Sequence, residues 1–519
     1  MPAIQLRKMA GNRRLRCCPA RSMRTRQKGQ TLILAVICML VFVIGVLVLF
    51  NTGQVINKKV QLNNTADAAA YSAAVQEARA YNLIAYLNRA QVANEVAMAQ
   101  MVSLHSWMNY VISGTDHFAD AANGIGWALD LTGVGAEVGV MLNEIAAELD
   151  EVKDGIEELR NGMKGVFTVA ITGLSDANLL YSDASRAVGD AEIIDVPTVV
   201  QDVIKANTAG ATGTTDKQAS LDARSLVILG QQLIVANSHY IKLYVVPNSA
   251  SPSSNPRHTA DADRYANVVM EARDGFSAKR NGDVLLLHKR GGTDLVSYNR
   301  WVALDDLNMH IPLPWPLDDV DLPMAWGGAA AVKRSSGAAF ANLVDADRGW
   351  TSPYDNDRGY VQPYNGALNN GSAGSLARTN PAEPNNNEAI LTGYQGLHSY
   401  DDIVANRAVV PYDATGKQDV GPVFSVVVDQ VMTDVRTTSN VKGLGGPPNF
   451  TVPDQAQDNR MTALASAQVY FDRPRSLFPR NADSRRELGN LFSPYWQARL
   501  IDTPTSVKAE IFATDAVGL

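Results

Sequence analysis

The residues of this chain best suited to acid–base chemistry are Asp305, Asp306 and His310, which lie close together in the sequence. A histidine can act as a general base when a neighbouring carboxylate orients its ring. A loop histidine held by hydrogen bonds produces the same local sequence and is the more common arrangement. We therefore expect a structural role for this group.

Other motifs of catalytic or ligand-binding proteins are missing from the sequence. It has no phosphate-binding loop, no His-Glu-x-x-His pair and no Gly-x-Ser-x-Gly elbow. Residues 261–265, 345–350 and 355–360 contain alternating aspartates, but the last two have glycine where an EF-hand needs its third ligand. We interpret all three as turns in which Asp caps backbone amides and Arg pairs with a carboxylate. The expectation is a protein without enzymatic activity, cofactor or metal.

The strongest pattern is an apolar run, residues 31–50, that contains no charged side chain. Twenty helical residues rise about 30 Å, which matches the hydrocarbon core of a bilayer. The thirty residues before it carry nine Lys or Arg and no Asp or Glu, so the N-terminus is expected in the cytoplasm. The run is longer than a cleaved signal's apolar region and no Ala-x-Ala site follows it. We expect a retained, single membrane span.

Charge and cysteine content restrict the part that follows the span. Eleven of the 46 basic residues and none of the 53 acidic residues precede Val60, so the remainder carries a net charge near −18. Such a surface repels nucleic acid and anionic lipid. The three cysteines, Cys17, Cys18 and Cys38, all precede the end of the span. The exported part therefore has no disulfide and needs a buried core or a partner.

Two long helices are predicted after the span. Residues 54–112 contain neither Pro nor Gly and are rich in alanine, which favours one helix continuous with the span. Residues 137–159 carry apolar residues at spacings of three and four. That spacing fits a helical hairpin within the chain, and it also fits a coiled coil with another molecule. Further helices are expected over 198–206 and 221–243.

The predicted fold class is α+β, with strands concentrated after residue 280. Residues 283–298 are expected to form a hairpin with Gly291 and Gly292 near its turn, and residues 423–428 and 467–471 to form strands. The expected order is a basic cytoplasmic tail at 1–30, a transmembrane helix at 31–50, a helical stalk at 51–247, and a strand- and loop-rich exported domain at 258–519.

A family resemblance rests on residues close to the span. Residues 28–31, Lys-Gly-Gln-Thr, and residues 61–70, Gln-Leu-Asn-Asn-Thr-Ala-Asp-Ala-Ala-Ala, flank and follow it. Together they resemble the N-terminal module of TadG-like proteins of bacterial tight-adherence pilus systems, also called Flp or type IVc pili. Residues 271–277 and 490–500 look like segments of larger proteins of that group. The resemblance implies a bacterial inner-membrane protein whose C-terminal part is periplasmic and contacts pilins or pilus-assembly proteins.

The sequence departs from this group in two places. Prepilins that are processed carry Glu five residues after the cleaved glycine, and Leu34 stands there if Gly29 is that glycine. Some TadG relatives carry a metal site that begins Asp-x-Ser-x-Ser, whereas residues 183–187 read Asp-Ala-Ser-Arg-Ala. The main interpretation is a membrane component that presents its domain to assembly partners. The alternatives are a minor pilin or adhesin exported with the fibre and, more distantly, a periplasmic hydrolase.

A face of small side chains just after the span could dock on another membrane helix, of a pilin or of a second copy, because small residues let helix backbones approach closely. The alternative is that these alanines pack only against the chain's own helix near residues 141–159. The residues expected to contribute to the span and to helix docking are Gly29, Gln30, Asn64, Asp67, Ala69 and Ala73.

Overall fold

The computed structural model describes most of the chain, with gaps. The described residues are 30–132, 136–208, 220–221, 223–236, 240–247, 259–296, 298–311, 320–334, 340, 388–403, 419–431, 460–473 and 489–517. The chain divides into two compact units. One comprises Met1–Val60 and Val431–Met461, and the other comprises Gln61–Gln430 and Thr462–Leu519. The expected boundary between 247 and 258 stays a prediction.

Two long helices dominate the first half of the chain. Helix α1 is Gln30–Thr132 and helix α2 is Ala136–Thr208. The predicted continuity of the span with residues 54–112 is confirmed, and α1 runs further than expected, through Gly114 and on to Thr132. The predicted helices at 137–159 and 198–206 are parts of α2, which continues through Pro197.

Helices α1 and α2 form an antiparallel hairpin within the second unit. Side-chain hydrogen bonds link Gln61 Nε2 to Asn207 O at 3.2 Å, Gln76 Nε2 to Glu192 Oε1 at 3.3 Å and Asn94 Nδ2 to Asn178 Oδ1 at 2.9 Å. Residue numbers on α1 rise as those on α2 fall, which is the signature of an antiparallel pair. The intramolecular hairpin predicted from the sequence is therefore present.

Four shorter helices follow in the part of the chain that the structure describes. Their bounds are Ala223–Val235 (α3), Ala260–Ala272 (α4), Gly275–Ala278 (α5) and Thr505–Val517 (α6). The predicted helix 221–243 is confirmed over 223–235. It is wrong at Leu221, which lies in the strand Ser220–Leu221, and at 241–243, because Ile241–Tyr244 is a strand that pairs with Tyr400–Ile403. Its partner is far away in the sequence, so tertiary pairing overrides the local helical pattern.

Three sheets are built from eleven strands in the described residues. The bounds are Ser220–Leu221 (β1), Ile241–Tyr244 (β2), Gly282–Val284 (β3), Leu287–Val296 (β4), Arg300–Ile311 (β5), Val320–Val332 (β6), Glu388–Thr392 (β7), Tyr400–Ile403 (β8), Asp419–Val431 (β9), Arg460–Phe471 (β10) and Trp496–Ile501 (β11). The sheet orders are β3-β4-β5-β6-β7, β1-β9-β10-β11 and β2-β8. Strand β7 lies parallel to β6, whereas β3 to β6 are antiparallel neighbours.

The predicted strands at 423–428 and 467–471 lie within β9 and β10 and are confirmed. The hairpin predicted to turn near the glycine pair is wrong, because Leu287–Val296 is one continuous strand. A different hairpin is present, formed by β3 and β4 with its turn at Leu285-Leu286. Gly291 and Gly292 lie inside strand β4, opposite β5. A Cβ at residue 291 would lie 2.3 Å from the Asp305 carboxylate, so glycine is needed there for space and not for a turn.

The core of the second unit lies between the helical hairpin and the five-stranded sheet. Its buried members include Met98 and Val102 of α1, Ile171 of α2, Tyr265 of α4 and Trp301 of β5. Helix α1 approaches β6 so closely that a Cβ on Gly327 would lie 2.2 Å from the backbone nitrogen of Tyr110. The helical hairpin, α4 and the five-stranded sheet therefore pack around a common core.

Candidate functional site

The apolar segment of helix α1 exposes its side chains along its length. None of its most apolar eighteen-residue window is buried, and in the described part of the chain α1 is the one helix long and apolar enough to cross a membrane. Gln30 is the first residue of α1, and Gly29 lies outside the described residues. Exposure of this much apolar surface is stable only in contact with lipid or with another apolar partner.

The small-residue face after the span has the opposite environment. Its five alanines are fully buried: Ala66, Ala69, Ala70, Ala73 and Ala74. The hydrogen bonds of Gln61 and Gln76 bracket this face and place α2 residues 192–207 beside it. The alanine face thus lies beside residues 192–207 of α2, and not beside residues 141–159 as the alternative interpretation expected.

Asn64 and Asp67 lie on the exposed side of the same helix. A partner helix could reach these two polar residues directly, whereas Ala69 and Ala73 would become available only if α2 moved away. The structure therefore divides four of the six predicted docking residues between an exposed surface, with Asn64 and Asp67, and a buried one, with Ala69 and Ala73. Docking of the set on another membrane helix stays a prediction.

A buried carboxylate lies at the centre of the second unit. Glu95 of α1 accepts hydrogen bonds from Trp301 Nε1 at 2.9 Å, from the Tyr394 hydroxyl at 2.9 Å and from Asn178 Nδ2 at 3.0 Å. These donors come from β5, from the segment after β7 and from α2. Burial raises the pKa of Glu95 to about 7, although the three donors oppose that rise. Glu95 links the helical hairpin to the sheet.

The second polar cluster is a pair of acids, Glu77 and Glu192, between the two long helices. Burial, together with the nearby charge of Glu192, raises the pKa of Glu77 to about 8. Burial and the charge of Asp195 raise the pKa of Glu192 to about 7, and its hydrogen bond from Gln76 opposes the rise. Both acids are buried, so each keeps its proton to a higher pH than an exposed glutamate does.

Asp305 occupies the third polar cluster. Its two carboxylate oxygens accept from Arg280 Nε at 2.7 Å, Arg280 Nη2 at 2.9 Å, Lys289 Nζ at 2.9 Å and Ser106 Oγ at 2.8 Å. A carboxylate with this many donors is held in place and already neutralised, which fits the structural role expected for it. The side chain of His310 lies outside the described side chains.

The first aspartate string is part of a helix, so its interpretation as a turn is wrong. Asp261 and Asp263 lie in the first turn of α4, where acids stabilise the positive end of the helix dipole. Thr259 is the N-cap residue, and Arg264 pairs with the buried Asp402, as expected for the arginine. Residues 345–350 and 355–360 lie outside the described residues. Among the described residues, no three His, Cys, Asp or Glu side chains form a group that could hold a metal.

Sequence reasoning did not single out Glu77 or Glu95. A signal was present for Glu77, because it follows Ala73 of the small-residue face by four residues. Positions at that spacing share one helix face, so an acid there enters the buried stripe.

Comparison with known families adds one match, and it covers the span and the small-residue face. Residues 29–76 match the Tad family. That family is described as "Putative Flp pilus-assembly TadE/G-like", and it is a non-enzymatic structural and assembly family. The match ends at residue 76, so the further resemblance at 271–277 and 490–500 stays a prediction. No curated protein and no solved structure shows significant similarity to the chain.

Proposed function

We propose that this chain is a single-pass inner-membrane component of a Flp-type pilus-assembly system, with a periplasmic α+β domain that contacts pilins or assembly proteins. One observation carries the proposal: a membrane-length exposed apolar segment and the Tad match occur on the same continuous helix. The chain acts by binding and positioning partners, as expected of a non-enzymatic family.

Charge supports the proposed orientation. The tail before the span carries nine basic residues and no acid, which favours the cytoplasmic side. The part after Val60 carries a net charge near −18, which disfavours lying flat on an anionic lipid surface. Its surface is therefore available to soluble or membrane-bound partners.

The orientation is tested with a reporter fused after Leu519 that is active only outside the cytoplasm. Activity at this position is expected, together with recovery of the full-length chain in the inner-membrane fraction. A cytoplasmic C-terminus would overturn the proposal.

The role in assembly is tested by deleting the gene and measuring surface pili, and by locating the protein in sheared fibres. The proposal expects loss or reduction of pili, and protein that remains in the membrane. A chain recovered in the fibres with its N-terminus at Gln30 or Thr31 would identify a minor pilin instead.

A further inference from the structure

Helix α2 carries an exposed apolar line whose members recur every seven residues. Its positions are Ile145, Val152, Leu159, Val166, Gly173, Leu180, Ala187 and Ile194. We call the first four of these residues the α2 seam. Their exposed fractions are 41%, 52%, 56% and 63%. The residues four positions after them, among them Leu149, Ile156 and Met163, are only partly exposed.

The α2 seam lies away from the core of its unit. Residues that α2 buries, such as Ala146, Phe167 and Ile171, lie on a different face of the helix. Ala146 and Phe167 each follow a seam residue and are turned from it by about 100°. The hairpin with α1 is therefore complete without the seam, and it leaves these four apolar side chains in solvent. The seam spans about 32 Å at 1.5 Å per residue.

A strict seven-residue repeat has a specific physical meaning. A straight α-helix has 3.6 residues per turn, so a core-facing stripe drifts around the helix and does not need to repeat every seven residues. Apolar residues that keep the seven-residue spacing over several heptads are typical of contact with a second, supercoiled helix. The sequence pattern left both an internal hairpin and an intermolecular coiled coil open, and the structure is compatible with both at once.

Three glycines beside the seam point to the same kind of partner. Gly155, Gly162 and Gly165 lie in the interior of α2, where each glycine costs about 1 kcal/mol relative to alanine. A Cβ at any of the three would meet nothing within 4 Å, so packing inside the chain does not require them. Glycines next to an exposed apolar line allow the backbone of another helix to approach closely.

Charge identifies the chemistry of that helix. The exposed acids Glu144, Glu148, Glu151 and Glu158 flank the seam. The nearby bases do not balance them on this face, because Lys153 pairs with Asp116 of α1 and Arg160 is buried and bonds to Asn109 of α1.

An acidic border disfavours pairing of two copies of this helix, since like charges would face one another across the seam. It disfavours an anionic lipid surface for the same reason. We propose that the α2 seam binds an α-helix of a second protein that has an apolar seven-residue repeat flanked by Lys or Arg. This surface lies outside the Tad segment and does not depend on the proposed role in pilus assembly.

The test uses the full chain in zwitterionic nanodiscs and two synthetic helical peptides as probes. Both peptides carry the same apolar repeat over about four heptads. One has Lys at the flanking positions and the other has Glu. Fluorescence anisotropy at low salt should show the Lys peptide binding at least about tenfold more tightly, with the preference reduced at high salt.

Variants locate the binding surface. Val152→Glu with Leu159→Glu should weaken binding of the Lys peptide at least about tenfold, because a buried charge would replace each apolar contact. Val227→Glu on α3, an equally exposed valine at 60%, is the matched control and should bind like the unsubstituted chain. Reversal of the flanking charge, Glu151→Lys with Glu158→Lys, keeps the apolar line and should shift the preference towards the Glu peptide.

Three results would overturn the proposal. The first is equal affinity for both peptides, and the second is unchanged binding by the Val152 and Leu159 variant. The third is a stable dimer of the unsubstituted chain in light scattering that this variant abolishes, since a second copy would then occupy the seam. The charge-reversal variant gives a decision even if the apolar variant folds poorly.

Discussion

Helix α1 contains two stretches that differ in what they bury. Residues 31–50 are apolar throughout and expose their side chains, whereas residues 62–113 are richer in alanine and polar groups and form much of the core. The more hydrophobic stretch therefore buries less within the chain. A helix face is buried where the chain provides a complementary surface, and hydrophobicity alone does not decide it. In our proposal, lipid provides that surface for residues 31–50.

The buried stretch is also the one that carries charge. Glu77 and Glu95 lie on the same face as the buried alanines, and Ser106 donates to Asp305. Such groups are tolerated only with hydrogen-bond or ionic partners, or in the protonated state. Substitutions in the two stretches should therefore have very different effects on unfolding of the second unit.

The largest effect is expected at Asp305, which joins α1 to the sheet. Asp305→Ala would leave Arg280 and Lys289 without their shared carboxylate in a buried site, at a cost of about 3–5 kcal/mol. Urea unfolding of the full chain, followed by tryptophan fluorescence, measures the change. Asp67→Ala removes an exposed carboxylate from α1 and should change the free energy of unfolding by less than about 0.5 kcal/mol. Equal effects would mean that the Asp305 cluster does not stabilise the fold.

A pH-dependent effect is expected at Glu77. Its pKa in the folded state is about 8, above the ordinary 4.5, so the folded state holds the proton more tightly than the unfolded state. The stability from this group is complete below about pH 4.5 and is lost as the pH rises through 8. Glu77→Gln removes that loss. The free energy of unfolding of the variant minus that of the unsubstituted chain should therefore be larger at pH 8 than at pH 5, by on the order of 3 kcal/mol.

Thermal unfolding at both pH values tests this prediction. Glu95 remains in both proteins, so the difference between the two curves reports Glu77 together with its electrostatic coupling to Glu192. Glu158→Gln, on the exposed face of α2, is the control and should show no such difference. A Glu77→Gln difference that is the same at pH 5 and pH 8 would contradict the prediction.

A smaller effect is expected on the alanine face. Ala69→Leu or Ala73→Leu adds volume at a fully buried position and should destabilise the second unit by about 1–3 kcal/mol. Ala147→Leu on the exposed side of α2 is the matched control, with less than about 0.5 kcal/mol expected. If the unit instead melts normally and a co-purifying membrane partner is lost, the alanines dock outside the chain.

The elements with strong local patterns were predictable from the sequence. The continuous helix followed from the absence of Gly and Pro over residues 54–112, and β9 and β10 followed from apolar runs. Strand β2 was not predictable, because its partner is Tyr400–Ile403. The turn at Leu285-Leu286 has no turn residue, and Leu285 adopts a φ of 54°.

The buried polar clusters were harder to predict than the elements. The partners of Glu95 include Trp301 and Tyr394, more than two hundred residues away. No local pattern indicates which distant donors will surround an acid. Gly291 was misread for the same reason, since the space it provides is for Asp305 on the neighbouring strand.

The smallest effect is expected at Leu40 in the span. The same substitution at Leu62, further along helix α1, provides the comparison. Leu40 is 61% exposed and Leu62 is 1% exposed. Leu62→Ala should cost about 2–5 kcal/mol in unfolding of the second unit, because it leaves a cavity in a packed core. Leu40→Ala should change that free energy by less than about 0.5 kcal/mol, because its side chain contributes to contact with lipid and not to the core. Both are measured by urea unfolding of the full chain in nanodiscs, with retention in the membrane fraction as a second readout. Similar destabilisation by the two substitutions would show that residues 31–50 pack into the protein, and the proposed membrane span would then be wrong.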